Sequence, residues 1–416
     1  MKIIYLIPLI LFVVFLTMKV TSTSAITCLA SAPGDSKSFG HALAISDNYL
    51  AVGDPEANRV VIYSRNSGGK WLRTREIVPP KGSAADKVGS GFGYSLALDE
   101  KILVIGAYDE LSLGITSRLQ QDYKRKFVSG VFVADLGKQS AALELSSNFL
   151  SNDVVYGFDV SIDGLLVAFG IRKEISSGVW HGSVGVFQRE NTLQELRIIE
   201  SPESKAALNF GISTDIDNGL LLVAAPRSGV NGAAYLFNLK DKSSWKRLPN
   251  DKDAPSTGWF GGQVALSNSM ALLGGNASSP FHTSSALITM PNSQTNTIRY
   301  LMPGGYVAVH EDFGVVTSVR PTPLTPSPVP NDSFDNTQAL IIIDRSRVRK
   351  VMLLDLLTKK NIDFIEAVAV SDNFVSIGRK DKTKGCKVFI FPQEYLLSIS
   401  QSYPSRGDSE PTKQSR

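Results

Sequence analysis

One short pattern recurs seven times along this chain and limits the folds that it can adopt. Each copy begins with an aromatic-glycine or glycine-glycine pair, runs through an alternating apolar strand, a polar turn and a second apolar strand, and ends on small residues. The copies begin at Phe39-Gly40, Phe92-Gly93, Tyr156-Gly157, Phe210-Gly211, Phe260-Gly261, Gly304-Gly305 and near Ile365. Their spacing of 44 to 64 residues is too long for a helical repeat and suits a four-stranded unit with variable loops. The repeat therefore predicts an all-β fold, a seven-bladed β-propeller of four-stranded antiparallel blades.

The turns between the first and second strands of each unit repeat in residue type. They are Asp47-Asn48, Asp99-Glu100, Asp163-Gly164, Asp217-Asn218-Gly219, Asn268, Glu311-Asp312 and Asp372-Asn373. Such side chains tolerate left-handed backbone or cap their own turn, as a tight hairpin requires. We therefore interpret these turns as structural.

The beginning and the end of the best copies resemble a known repeat. Phe39-Gly40 is followed by Val52-Gly53-Asp54-Pro55, and Phe210-Gly211 by Ala224-Ala225-Pro226. This pattern resembles the FG-GAP repeat, which forms the propeller of the integrin α-subunit head and of many secreted proteins of microbes and protists. The resemblance covers residues 39–392 and implies the same propeller fold. It does not choose a ligand, because this blade also occurs in accessory domains of hydrolases and in proteins of unknown role.

The ends of the chain differ from the repeats in composition. Residues 1–25 combine Lys2, an apolar run and Thr23-Ser24-Ala25, which predicts a cleaved secretory signal, with a signal anchor as the alternative. We expect the propeller to span residues 26–400 and a disordered polar tail to span 401–416, with no membrane span in the mature chain. The predicted location is secreted or at the extracellular surface. Without Lys2 and Lys19 the 43 basic residues become 41 against 39 acidic ones, so we expect no binding of nucleic acid by bulk charge.

The two cysteines lie at opposite ends of the repeat region. Propellers commonly close when one terminus supplies a strand to a blade built mainly from the other, and Cys28 lies where other units place their fourth strand. Cys386 opens the third strand of the last blade, so the two thiols come within disulfide reach. This bond would contribute roughly 4 to 5 kcal/mol on the chain-entropy model. Two alternatives remain: unrelated thiols, or a rival strand over 394–400 on the same edge.

Alternating strand directions sort the loops onto two faces of the predicted propeller. The turns between strands two and three share one face with the connections between blades, and this face carries long insertions in blades two and six. It also carries positive charge that suits an acidic glycan or a carboxylate-bearing protein. The candidate ligand-binding residues are Tyr123, Lys124, Arg125, Lys126, Arg172, Lys173, Lys380 and Lys382. Asn276 and Asn331 open potential glycosylation sequons on the same face. A passive, solvated set of loops is the alternative.

The sequence offers little to support a metal site or an active site. The integrin resemblance implies calcium loops between strands one and two, but the turns here are shorter, and Asp159 to Gly164 and Asp215 to Gly219 lack the necessary run of carboxylates. We therefore expect no metal and no cofactor. The four histidines fall in different blades, and neither H-E-x-x-H nor G-x-S-x-G occurs. Carboxylates meeting across the central channel would favour an enzyme.

These observations lead to one functional hypothesis and two alternatives. We expect a secreted, non-catalytic recognition or adhesion module that binds a protein or an acidic glycan through the two-three loop face. The first alternative is a structural component of an extracellular matrix or coat, and the second is an enzyme that uses the central channel. Arg406-Gly407-Asp408 in the tail matches an integrin-recognition tripeptide, which we interpret as a coincidence.

Overall fold

Seven antiparallel sheets follow one another around a central channel in the computed structural model, which confirms the predicted seven-bladed propeller. The structure describes residues 26–83, 85–86, 90–108, 129–144, 154–176, 179–189, 193–203, 209–226, 228, 232–241, 244–248, 260–275, 285–289, 297–301, 305–317, 339–344, 347–352, 364–380 and 386–402. The predicted signal sequence, most of the predicted tail, and the sequons at Asn276 and Asn331 lie outside these ranges. In the described part of the chain no helix is long and apolar enough to cross a membrane.

The blades follow the order of the sequence, and the first strand of each is the innermost. Blade 1 contains β2 (Leu43–Ile45), β3 (Tyr49–Asp54), β4 (Arg59–Arg65) and β5 (Trp71–Ile77). Blade 2 contains β6 (Phe92–Asp99), β7 (Ile102–Tyr108), β8 (Ser129–Asp135) and β9 (Leu143–Glu144). Blade 3 contains β10 (Val154–Asp163), β11 (Leu166–Ser176), β12 (Val179–Arg189) and β13 (Leu193–Glu200). Blade 4 contains β14 (Thr214–Asp217), β15 (Leu220–Ala225), β16 (Ala233–Asn238) and β17 (Trp245–Leu248).

The remaining three blades include both ends of the described chain. Blade 5 contains β18 (Phe260–Leu266), β19 (Met270–Gly275), β20 (Ser285–Thr289) and β21 (Thr297–Leu301). Blade 6 contains β22 (Val307–His310), β23 (Phe313–Thr317), β24 (Ala339–Asp344) and β25 (Arg347–Met352), with β29 (Gln401–Ser402) added at its outer edge. Blade 7 contains β26 (Phe364–Val370), β27 (Phe374–Lys380), β28 (Cys386–Pro392) and β1 (Thr27–Ala30). A 3-10 turn (Pro55–Ala57) and one helix, α1 (Gln393–Ile399), are the helical elements in these ranges.

The aromatic-glycine pairs explain how neighbouring blades pack. Phe39, Phe92 and Phe210 are fully buried, and Phe92 packs with Ile62 of blade 1 and Phe132 of its own blade. Burying one such ring contributes about 2 to 3 kcal/mol. The apolar core therefore lies between the faces of adjacent blades.

Glycines let the backbones of adjacent blades touch. Gly157, in the pair that opens blade 3, has a φ of 79°, a left-handed value that favours glycine. A Cβ atom on Gly106, in the second strand of blade 2, would overlap the carbonyl oxygen of Gly157. The glycine of the opening pair and the glycine near the end of the second strand of the preceding blade are thus two halves of one contact.

The N-terminal strand closes the ring as expected. β1 pairs antiparallel with β28, and a disulfide joins Cys28 to Cys386 with their Cα atoms 5.6 Å apart, as the sequence predicted. The rival strand over 394–400 does not form, because this segment is the helix α1, whose Leu396 is fully buried in the core between blades 6 and 7.

A charged cluster fastens the segment after β1 to blade 1. The buried carboxylate of Asp35 accepts hydrogen bonds from Arg59 at 2.7 Å and from Arg73 at 3.0 Å. Asp54, equally buried, accepts from the backbone N–H of Ser36 at 3.2 Å and from Arg59 Nε at 3.3 Å. Because every buried charge here has a partner of opposite sign, the cluster holds the closing segment without an unpaired ion.

Candidate ligand-binding channel

The first strands of all seven blades line a central channel with a volume of about 1230 Å³. Each first strand begins near the aromatic-glycine pair, on the face of the two-three loops, and ends at its turn on the opposite face. The channel therefore has two mouths, which we call the loop mouth and the turn mouth. Different side chains line them, because the two ends of each first strand obey different constraints.

An arc of aromatic rings lines one side of the loop mouth. The ring of His41 in blade 1 lies 4.7 Å from that of Tyr94 in blade 2, measured between centroids. Tyr94 meets Tyr108 edge to face at 5.0 Å, and Tyr108 meets Phe158 of blade 3 at 5.8 Å in the same manner. All four residues line the channel; His41 and Tyr94 are half-buried, whereas Tyr108 and Phe158 are buried. We call these four residues the aromatic arc.

Arg172 ends the aromatic arc. Its guanidinium carbon lies 4.7 Å from the centroid of the Phe158 ring, within the range of a cation–π interaction. Arg172 also lines the channel and is half-buried. A planar cation fixed over an aromatic ring keeps its fork of N–H groups in one orientation, which suits recognition of a carboxylate.

A simple rule in the sequence identifies the loop-mouth residues. The residue directly after each aromatic-glycine or glycine-glycine pair lines the channel in the six copies that have such a pair. These residues are His41, Tyr94, Phe158, Ile212, Gly262 and Tyr306. In blade 7 the corresponding side chain is Glu366. We did not derive this position from the sequence, although the repeat itself contained the signal.

The turn mouth is acidic, and its side chains link adjacent blades. Asp99 accepts a hydrogen bond from the backbone N–H of Gly164 in blade 3 at 2.8 Å. Asp47 of blade 1 accepts one from the N–H of Asn373 in blade 7 at 3.3 Å. The carboxylates that line this end of the channel are Asp47, Asp99, Glu100, Asp163, Asp217 and Asp372. The turn residues therefore support the ring in addition to shaping their own hairpins.

Two carboxylates lie deeper in the channel wall. Asp159 accepts from the N–H of Thr214 at 2.5 Å and from its hydroxyl at 3.0 Å. Asp215 accepts from the N–H groups of Leu266 at 2.7 Å and Ile216 at 3.0 Å. Burial raises the pKa of both carboxyl groups to about 7, although these hydrogen bonds favour the charged form. Asp159 and Asp215 belong to the two turns that the sequence analysis compared with the calcium loops of integrins. Each of these carboxylates accepts a hydrogen bond from a backbone N–H of the next blade.

His310, Glu311 and Asp372 form a small group at the turn mouth. Their potential ligand atoms lie within 4.8 Å of one another, and all three side chains are exposed. His310 Nε2 lies 2.7 Å from a carboxylate oxygen of Asp372, which joins blades 6 and 7. One imidazole and two carboxylates could hold a divalent cation, but the geometry is accounted for by this link between blades, so we assign no metal here.

Three of the eight predicted ligand-binding residues lie in the described ranges. Arg172 and Lys173 are successive residues of β11 at its loop-mouth end, and the side chain of Lys173 is exposed. Lys380 ends β27 on the same face, paired with Phe364. The other five, Tyr123, Lys124, Arg125, Lys126 and Lys382, lie outside the described residues. The segment that holds four of these five follows Tyr108 of the aromatic arc directly.

Comparisons with known proteins identify no family. The chain matches no protein-family profile, and no curated protein is similar to it. Hydrazine synthase of Kuenenia stuttgartiensis is 10% identical with a TM-score of 0.48, over 88% of this chain and 98% of that one. A prolyl endopeptidase is 13% identical with a TM-score of 0.44, over 74% and 40% of the two chains. A functionally unknown protein from Desulfotomaculum acetoxidans DSM 771 is 10% identical with a TM-score of 0.41, over 73% and 81%. None of these similarities assigns an activity to this chain.

Proposed function

We propose that this protein is a secreted, non-catalytic recognition module of the FG-GAP type, and that it binds an anionic ligand at the loop mouth of its propeller. The observation that carries the proposal is the aromatic arc ending on Arg172. Aromatic walls with a few convergent polar groups are the usual lining of binding sites. Lys173 and Lys380 add basic residues on the same face.

Two further observations support the secreted location and the repeat type. The disulfide between Cys28 and Cys386 suits an oxidising compartment, since such bonds are rare in the cytosol. The buried Phe39, Phe92 and Phe210 begin their blades in the manner that the FG-GAP resemblance implies.

The proposal is tested by ligand retention on an anionic matrix. The mature protein is applied to immobilised carboxylated and sulfated polysaccharides and eluted with salt, since contacts between exposed charges weaken as ionic strength rises. We expect Arg172→Gln with Lys173→Gln to elute at clearly lower salt than the wild type. The matched control is Lys246→Gln, which removes an exposed lysine on the outer strand of blade 4. Equal elution of the double variant and the wild type would refute the proposal.

Catalysis in the channel is a second candidate function. The observation that favours it is the pair Asp159 and Asp215, whose carboxyl groups line the channel and have pKa values of about 7, as a general acid or base requires. Both groups also accept backbone hydrogen bonds from the next blade, which gives them a structural role. A hydrolase screen decides between these roles: activity of the wild type that Asp159→Asn or Asp215→Asn abolishes, with the fold retained, would establish an enzyme.

A further inference from the structure

We propose that the loop mouth binds the terminal residue of an anionic oligosaccharide, which enters the channel end-on and does not pass through it. This inference rests on the proposed function and names its ligand class and its mode of binding. Three features carry it: the aromatic arc, the occupied inner edges of blades 4 and 5, and the difference in charge between the two mouths.

The aromatic arc suits a sugar ring. Its rings meet at angles between 49° and 70°, so they are not a flat stack. His41 and Tyr94 are the two half-buried members that a ligand can reach, and the buried Tyr108 and Phe158 support them from behind. A pyranose presents apolar C–H groups on its faces and hydroxyls around its rim, and such an apolar face packs well on aromatic rings. Glu366 lines the same mouth from blade 7 and supplies carboxylate oxygens that accept hydrogen bonds from hydroxyls.

The inner edges of the blades are poorly suited to an extended peptide. The first strand is the edge of every sheet, and a peptide could add to such an edge only through a run of free backbone groups. In blades 4 and 5 side chains of the preceding blade already bind N–H groups of this edge: Asp159 binds that of Thr214, Ser213 that of Val264 at 3.2 Å, and Asp215 that of Leu266. Separate hydroxyls of a sugar do not need a continuous edge, so the saccharide fits this channel better.

The two mouths differ in charge. The loop mouth carries Arg172 and the carboxylate of Glu366, which balance one another. The turn mouth carries the six carboxylates Asp47, Asp99, Glu100, Asp163, Asp217 and Asp372, with Lys101 as the lysine that lines this end in the described part of the chain. A carboxylate on the ligand is attracted by Arg172 and repelled along the rest of the channel. An anionic chain can therefore place its end in the loop mouth, but it cannot thread through the propeller.

The number of protein molecules bound to each oligosaccharide chain tests the end-on mode of binding. The probes are linear oligouronides of about four and about forty residues, and binding is measured by calorimetry together with sedimentation. End-on binding predicts one protein molecule per bound chain end at both lengths, with the same affinity per chain end. Binding along the side of the chain predicts that the long probe carries several molecules and gains affinity through multivalency.

Single substitutions distinguish a loss of binding at the loop mouth from a loss of folding. We expect Tyr94→Ala and Arg172→Gln each to weaken binding of the short oligouronide at least tenfold, while Tyr94→Phe, which keeps the ring, retains it. Normal thermal unfolding of each variant shows that the fold is intact. If several molecules bind the long probe and Arg172→Gln still weakens binding, the end-on mode is refuted and the proposed function stands. If neither oligouronide binds the wild type, this inference is refuted, and retention on sulfated polysaccharides then decides the proposed function separately.

Discussion

Opening the disulfide between Cys28 and Cys386 tests how the ring is closed. The two residues are 358 positions apart, so the bond encloses almost the whole propeller in one loop. For a loop of this length the chain-entropy model gives about 6 kcal/mol, which is more than the value of roughly 4 to 5 kcal/mol expected from the sequence. Unfolded chains are more compact than random coils, which reduces the effect, and we expect about 4 to 5 kcal/mol to be realised. Since unfolding entropy scales with length, this loss corresponds to a fall in Tm of about 5 to 6 °C for a domain of this size.

The assay compares the wild type with the double variant Cys28→Ser, Cys386→Ser in equilibrium urea unfolding, followed by circular dichroism. These are the only cysteines of the chain, so the wild type under reducing conditions should match the variant and is the control. The folded variant should keep its β-sheet spectrum, because the β1–β28 pairing and the Asp35 cluster still hold the terminus. Equal free energies of unfolding in the wild type and the variant would refute the reasoning.

Three further changes test the contacts between blades and their electrostatics. Gly106→Ala should lower the free energy of unfolding by about 3 kcal/mol or more, because its Cβ would overlap the backbone of the next blade, whereas Gly68→Ala meets only an ordinary contact; chemical denaturation compares the two. Asp35→Asn should lower it by about 3 to 5 kcal/mol, since it breaks a buried ion pair, and an effect below about 1 kcal/mol in the same measurement, the size typical of exposed pairs, would contradict this view. Asp215→Asn should flatten the dependence of stability on pH. The native pKa of the Asp215 carboxyl group, about 7, lies above its value in the unfolded chain. Its contribution to the free energy of unfolding is therefore fully present below about pH 4 and is lost as the pH rises through 7. Urea midpoints at pH 5 and pH 8 measure this, and an unchanged difference between wild type and variant at the two pH values would contradict it.

The architecture could be predicted from the sequence because each blade contains its own copy of the local sequence repeat. The opening pair at Phe92-Gly93, the alternating strands and the turn at Asp99-Glu100 are local features, and the first strand of blade 2 runs from that pair to that turn. The disulfide could also be predicted, because ring closure fixes which strands are neighbours. These inferences needed only the period of the repeat and the chemistry of turns.

The contacts between blades could not be predicted in the same way. Asp99 was interpreted as a turn residue, but it also binds the N–H of Gly164, 65 positions away. His310 and Asp372, 62 positions apart, were placed in separate blades with no expectation that they meet. These pairings depend on the rotation of one blade against the next, which no local pattern specifies. The aromatic arc was missed for the same reason, because its rings come from three blades.

The two mouths of the channel are under unequal structural constraint, which is relevant to where the proposed ligand binds. At the turn mouth the hairpins need residues that accept left-handed backbone, as Glu100 and Asn218 do with φ values of 48° and 51°, and their carboxylates and amides also bind the next blade. The acidic residues at the turn mouth are therefore explained by the hairpin turns and by the contacts between blades that hold the ring together. At the loop mouth none of the residues directly after the opening pairs has a left-handed backbone. Their type varies from His41 to Gly262 to Tyr306 within this one chain, although His41 also packs on Tyr94 of the next blade. A position that accepts this range of side chains, and that places His41, Tyr94 and Phe158 next to Arg172 on one side of the channel, is one where ligand contacts can vary without any change in the turns that close the ring.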